Sequence, residues 1–165
     1  MPHSAPRSLE LVIFIGIQAS GKSTFYRRYF EKSHQIVSKD LMRNKPRKSA
    51  RQERLLHAAL SLGHSVVLDN TNPTIEDRAR AIEIGRQYGA RVIAYYFTSD
   101  IRDNLRRNRF RYGKSCVPDV AIYTTAKKLI PPTQDEGFDE IWHVQIQPPC
   151  DFSCTKEFSH LGELG

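Results

Sequence analysis

Leu11-Val12-Ile13-Phe14-Ile15 runs directly into Gly16-Ile17-Gln18-Ala19-Ser20-Gly21-Lys22-Ser23, and this junction decides the fold. Five consecutive apolar residues read as a strand buried on both faces. The eight that follow spell G-x-x-x-x-G-K-S, the Walker A pattern. There a glycine-rich turn points backbone N–H groups at nucleotide phosphates. Lys22 reaches the β- and γ-phosphates, and the Ser23 hydroxyl ligates Mg²⁺. A helix starting at the loop adds its positive dipole end to the same anion site. Gly16, Gln18, Ala19, Ser20, Gly21, Lys22, Ser23 and Thr24 are therefore the expected nucleotide-binding residues, with ATP or another nucleoside triphosphate and Mg²⁺ as cofactors. The loop leaves open whether the phosphoryl group goes to water, a small molecule or a nucleic acid.

Downstream, strand and helix signals alternate. Helices are expected over 22–30, 50–62, 74–88, 101–111 and 118–128, and strands over 35–38, 65–69, 91–97 and 141–146. In the second helix Leu55, Leu56, Ala59 and Leu60 are spaced to face a core, and in the third Ile75, Ala79 and Ile82. Such alternation argues a parallel sheet of about five strands with helices on both faces. The expected fold is a kinase-type P-loop NTPase, a three-layer α/β/α sandwich with a helical lid over about 101–118. Residues 1–8 read as a flexible N-terminus and 9–147 as the kinase domain. Pro148-Pro149 ends the expected compact body and leaves 148–165 as a tail.

At 165 residues the chain has the length of one domain with a full core. Its apolar runs are too short to cross a bilayer, and its N-terminus lacks a signal-peptide apolar region, so the expected location is the cytoplasm without membrane attachment. Cys116 stands alone. Cys150 and Cys154 lack a second pair at finger-like spacing, so no structural zinc is expected. The net charge of +7 is concentrated: one cluster holds Arg43, Lys45, Arg47, Lys48, Arg51 and Arg54, the other Arg102, Arg106, Arg107, Arg109, Arg111 and Lys114. Outside them, acids outnumber bases. Clustered cations imply an anionic partner, either nucleotide phosphates or a nucleic-acid backbone, although solvated basic faces have the same pattern.

In parallel α/β sheets ligands gather at the carboxyl ends of the strands, and three acids or cations fall there. Asp40 and Arg43 follow the second strand three residues apart, which in a helix puts both on one face. A carboxylate there can take a proton from an attacking hydroxyl while the arginine holds an acceptor phosphate; the same spacing equally fits an N-cap aspartate beside a solvated arginine. Asp69, after Ser65-Val66-Val67-Leu68, is placed as a Walker B acid near the metal, and Thr71 or Asn72 could cap the next turn. Arg107, Arg109 and Arg111 belong to the lid, where an arginine can stabilise charge on a transferring phosphoryl group.

Gly16 to Thr24, the Asp40-x-x-Arg43 pair, Val66-Val67-Leu68-Asp69-Asn70-Thr71-Asn72-Pro73, Arg107-Asn108-x-x-Arg111 and Ile130-Pro131-Pro132-Thr133 with Glu136-Gly137-Phe138 occur in that order. Together they resemble the kinase domain of the polynucleotide 5′-hydroxyl kinase family over about residues 9–147. The resemblance implies ATP-dependent phosphorylation of a 5′-hydroxyl end of DNA or RNA. It implies Asp40 as general base and Arg43 on the acceptor's 3′-phosphate. Asp69 and Asn72 would lie on the substrate side, Ser23 and Asp69 at the metal, and Lys22 at the phosphates. The catalytic lid arginine falls on Arg111, with Arg109 second and Arg107 toward the nucleotide. Family members often carry an added phosphatase or ligase domain. This chain has room for neither, so a kinase standing alone is expected. A small-molecule hydroxyl kinase, an ATPase and a non-catalytic nucleotide-binding module are the rival readings.

Overall fold

The computed structural model describes residues 8–42, 45–148 and 151–158. Its strands are β1 (Glu10–Ile15), β2 (Gln35–Val37), β3 (Val66–Asp69), β4 (Arg91–Phe97), β5 (Glu140–Gln147) and β6 (Asp151–Lys156), and its helices α1 (Lys22–Tyr29), α2 (Lys48–Ser61), α3 (Ile75–Gln87), α4 (Ile101–Arg109) and α5 (Asp119–Lys128). They form one sheet in the order β2-β3-β1-β4-β5-β6. The first five strands are parallel and β6 runs antiparallel to β5.

Central β1 pairs with β3 and β4, and Leu11 through Ile15 are all 0% exposed, as a strand covered on both faces requires. Side-chain alternation divides it. Leu11, Ile13 and Ile15 meet Leu56 and Leu60 of α2 and Ala81, Ile82 and Ile84 of α3. Val12 and Phe14 meet Phe25 and Tyr26 of α1 and Phe30. A smaller group, Ile17 with Leu105 and Ile122, seats α4 and α5 beside the glycine-rich loop.

Leu56, Ala59, Leu60 and Ile82 face the core as expected, and the structure corrects the other three residues expected inward. Leu55 is 48% exposed and Ile75 42% exposed, and Ala79 is also exposed. In α3 the phase is set by Gly85, whose missing side chain admits Leu11 and Val92: a Cβ there would lie 2.8 Å from Leu11 Cδ2. Burying Ala81, Ile82, Ile84 and Gly85 rotates Arg78 into the interior, where it is 0% exposed. Its Nε and Nη2 donate to Glu136 at 2.8 and 3.1 Å, and its Nη1 donates to the Ile130 carbonyl at 2.9 Å.

This buried pair accounts for the proline-rich segment. Thr133 and Glu136 form a reciprocal capping box, Gly137 takes a left-handed φ of 110°, and Phe138 enters the core. The second correction is at the C-terminal end. Residues expected to be a tail contain β6, which pairs Trp142↔Lys156 through Gln147↔Asp151. Phe152 then packs on Phe25 with centroids 5.1 Å apart, and Arg28 sits 5.4 Å over its ring.

Removing one partner of a buried ion pair leaves an uncompensated charge, so Glu136→Ala should lower unfolding stability by about 3–5 kcal/mol. The double replacement Arg78→Met/Glu136→Leu should cost less than the single one. Urea unfolding of the three proteins checks this; equal losses would show that the pair's charge is not what matters.

Candidate active site

The loop between β1 and α1 is built from two left-handed residues, Ala19 (φ 59°) and Gly21 (φ 91°), the latter being the N-cap of α1 without a side-chain cap bond. The first-turn N–H groups of α1 thus face the loop's concavity uncapped, a backbone anion site. Gly21 also needs its hydrogen, since a Cβ there would lie 3.0 Å from the Phe152 ring and 3.1 Å from Ile146. The Gly16 N–H donates to the Thr71 carbonyl at 3.0 Å, which fastens the loop to the end of β3.

Lys22 folds across this loop. Its Nζ donates to the carbonyls of Gly16 (2.9 Å) and Ile17 (2.7 Å) and, more loosely, to Ser20 Oγ (3.3 Å). Burial pulls its pKa down to about 8, opposed by the negative charge of Asp69, reinforced by Arg111 and opposed again by Asp40. Ser23 donates its hydroxyl to Asp69 Oδ2 at 3.0 Å. Burial pushes the Asp69 carboxyl upward, with Lys22 and the Ser23 hydrogen bond acting the other way. The donor set of hydroxyl and carboxylate oxygens is hard, as Mg²⁺ requires. Among the described residues no group of three or more His, Cys, Asp or Glu could hold a metal. Phosphate oxygens and water would therefore complete the shell of an ion held by Ser23 and Asp69.

Asp40 opens a short 3₁₀ turn directly after β2. Its backbone N–H donates to Ser38 Oγ at 3.2 Å and its side chain is exposed, yet its charge acts on both Lys22 and Asp69. The turn is braced by a chain the sequence does not reveal. Asn70 Oδ1 accepts the Lys39 N–H at 2.9 Å, and its Nδ2 donates to Gln52 Oε1 at 2.8 Å, Gln52 being 8% exposed. Gln52 lies in a stretch that reads as a basic helix, so only the fold brings it to β3. Arg43 lies outside the described residues.

Asn72, expected on the substrate side, is instead 5% exposed and donates to the Phe14 carbonyl at 2.8 Å. With a left-handed φ of 44° it ties the end of β3 to β1, a task suited to asparagine. Thr24 is exposed on α1.

Helix α4 grips the loop from the other side. Asn104, 0% exposed, donates to the Gln18 carbonyl at 2.9 Å, and Arg107 Nε donates to the Ala19 carbonyl at 2.7 Å. Gln18 Nε2 reaches Thr125 of α5 at 3.0 Å. Burial lowers the Arg107 pKa, and its Nη2 is buried without a partner among the described residues, as are Gln18 Oε1 and Asn104 Oδ1. Arg111 acts electrostatically on Lys22 and Asp69, whereas Arg109 is exposed at the end of α4. The structure thus brings Lys22, Ser23, Asp69, Asp40 and Arg111 into one electrostatic unit. Asn104 and Thr125 are missed by sequence reading because amides and hydroxyls within helices carry no pattern.

The family model described as AAA domain matches residues 11–129. A bifunctional polynucleotide phosphatase/kinase of Schizosaccharomyces pombe is 29% identical over 155 residues, 90% of this chain and 35% of that protein. A putative bifunctional polynucleotide phosphatase/kinase of Acanthamoeba polyphaga mimivirus is 29% identical over 143 residues, 82% of this chain and 33% of that protein. The chain thus spans about a third of the length of these curated relatives. Among solved structures, a gluconokinase from Sinorhizobium meliloti 1021 is similar in fold, with a TM-score of 0.61, 17% identity and coverage of 87% of this chain and 86% of that one.

A phosphate bound at the loop favours charged Lys22. Since the ligand-free group titrates near 8, nucleotide binding above that pH should take up protons, and affinity should fall as pH rises through it. Calorimetry of ADP binding at about pH 8.5, in two buffers of different ionisation enthalpy, measures the uptake. Lys22→Arg should abolish it; proton release, or none, would contradict the assignment.

Proposed function

The chain belongs to the AAA domain family, and from that premise we propose that it is an ATP-dependent phosphotransferase whose acceptor is the 5′-hydroxyl end of DNA or RNA. The observation that carries the reading is the pairing of two unlike carboxylates at neighbouring strand ends. Asp69 is 6% exposed and accepts a hydrogen bond from Ser23, whereas Asp40 is exposed and its carboxylate accepts none from a described residue. In this reading Asp69 serves the metal and phosphates and Asp40 receives an incoming hydroxyl. An ATPase needs only to orient water. A carboxylate presented to solvent beside the phosphate site fits a second, bulky substrate better.

In this reading the loop N–H groups and Lys22 hold the β- and γ-phosphates. Asp40 accepts the proton of the attacking hydroxyl through its carboxylate, and Arg111 faces the charge that develops on the transferring group. Mg²⁺, held by Ser23 and Asp69, would neutralise the β/γ oxygens when bound. Arg107, fastened to Ala19, orients the lid toward the nucleotide. Arg43 is assigned to the phosphate on the acceptor's 3′ side. The polynucleotide acceptor is supported by the names of the relatives and by the basic residues Lys45, Arg47, Arg51 and Arg54 that follow Asp40.

Label transfer from ATP in the presence of Mg²⁺ tests the proposal, with 5′-hydroxyl oligonucleotides offered beside nucleosides, gluconate and other sugars. Transfer to oligonucleotides is expected; transfer to a sugar alone would replace the proposal with a small-molecule kinase. Asp40→Asn should lower kcat by roughly 10²–10⁴-fold while ADP affinity stays near that of the parent protein. A lost ADP affinity would place Asp40 at the nucleotide instead. Oligonucleotide binding should also weaken steeply with salt, and a flat response would contradict a backbone contact.

A further inference from the structure

Phe110, Arg111 and Tyr112 stand together in the turn between α4 and α5, where the two rings are 77% and 92% exposed. The turn has a fixed root. Asn108, 2% exposed, donates to the Val117 carbonyl at 2.7 Å and accepts the Val117 N–H at 3.1 Å. The residues between are therefore a loop closed at its base. At its centre, Arg111 acts on the charge of Lys22 and of Asp69. Asn104 and Arg107 fasten the last turns of α4 to the Gln18 and Ala19 carbonyls, so the turn that carries both rings leaves α4 beside the glycine-rich loop.

Single exposed apolar side chains are ordinary, but this short stretch holds Phe110 and Tyr112 and continues with Val120 and Tyr123 at 68% and 52% exposure. Charge selects what would cover them. Arg102 and Arg106 are paired with Asp100 and Asp103, whereas Arg109 and Arg111 make no ion pair among the described residues. Exposed π-faces interleaved with unpaired guanidinium groups suit a single-stranded nucleic acid, which offers base faces for stacking and phosphates for the cations.

Resting on the reading above, we infer that Phe110 and Tyr112 stack the terminal bases of a single-stranded 5′ end, with Arg109 on its backbone. The lid then selects strand form as well as holding the donor. The stacked base belongs to the acceptor because Arg111 is assigned to the transferring phosphoryl group. From that group the donor's base is separated by two further phosphates and a ribose, while the acceptor's first base lies one sugar away.

Steady-state KM values for a 5′-hydroxyl single strand, a blunt duplex and ATP test this on the full chain. Phe110→Ala/Tyr112→Ala should raise the single-strand KM roughly 10- to 100-fold, the blunt-duplex KM less, and leave the ATP KM unchanged. Phe110→Tyr/Tyr112→Phe should restore the parent value, separating stacking from a fold defect. An unchanged single-strand KM in the alanine pair overturns the inference while leaving the kinase reading intact, and so does a rise confined to ATP. A parent protein that phosphorylates no oligonucleotide overturns both.

Discussion

A half-buried lysine and a buried carboxylate meet at the carboxyl edge of the sheet, and the rest of the site is the compensation they need. Desolvation works against both charges, as the lowered Lys22 and raised Asp69 pKa values show. Lys22 is compensated by two loop carbonyls, which can reach it only because the backbone turns left-handed at Ala19 and Gly21. Asp69 is compensated by Ser23, one residue beyond Lys22 on α1. The Gly16–Thr71 and Asn72–Phe14 bonds then keep the ends of β1 and β3 in the register that makes these contacts coincide. A phosphate relieves the strain on the lysine, which is why the arrangement reads as a site rather than as a core defect.

Much of the fold was legible because its signals are local. The apolar run of β1, the glycine pattern after it and the strand at Arg91–Phe97 depend on neighbouring residues alone. What sequence reading missed depends on distant contacts. In α3 Ile82 faces the core as expected but Ile75 and Ala79 do not, because Gly85 packs against β1 and β4 and that close approach sets the phase. Nothing local marks Arg78 as buried, because its partner Glu136 is far along the chain. Strand β6 follows a proline pair and carries an alternating polar pattern, weak evidence until β5 offers an edge. Among the candidate site residues, Lys22, Ser23 and Asp69 were legible from motif position. The positioning amides Gln52, Asn70 and Asn104 were not, since an amide's role is set entirely by what it faces.

The glycine-rich loop is supported from two sides. On one side β6 brings Phe152 against Gly21 and Phe25. On the other, Asn104 and Arg107 hold the carbonyls of Gln18 and Ala19. A loop held this way keeps its N–H groups oriented without a ligand, and preorganised donors are the ones that stabilise charge at least cost. Phe110 and Tyr112, in the turn after α4, contrast with this: their side chains are 77% and 92% exposed.

The central claim is that Asp40 receives the hydroxyl of a nucleic-acid end. A crystal structure of the chain with Mg²⁺, a non-hydrolysable ATP analogue and a 5′-hydroxyl oligonucleotide tests it most directly. The 5′ oxygen is expected about 2.6–3.2 Å from an Asp40 carboxylate oxygen and in line with the γ-phosphorus. A 5′ end docked away from Asp40, or an Asp40 turned toward the nucleotide, would contradict it.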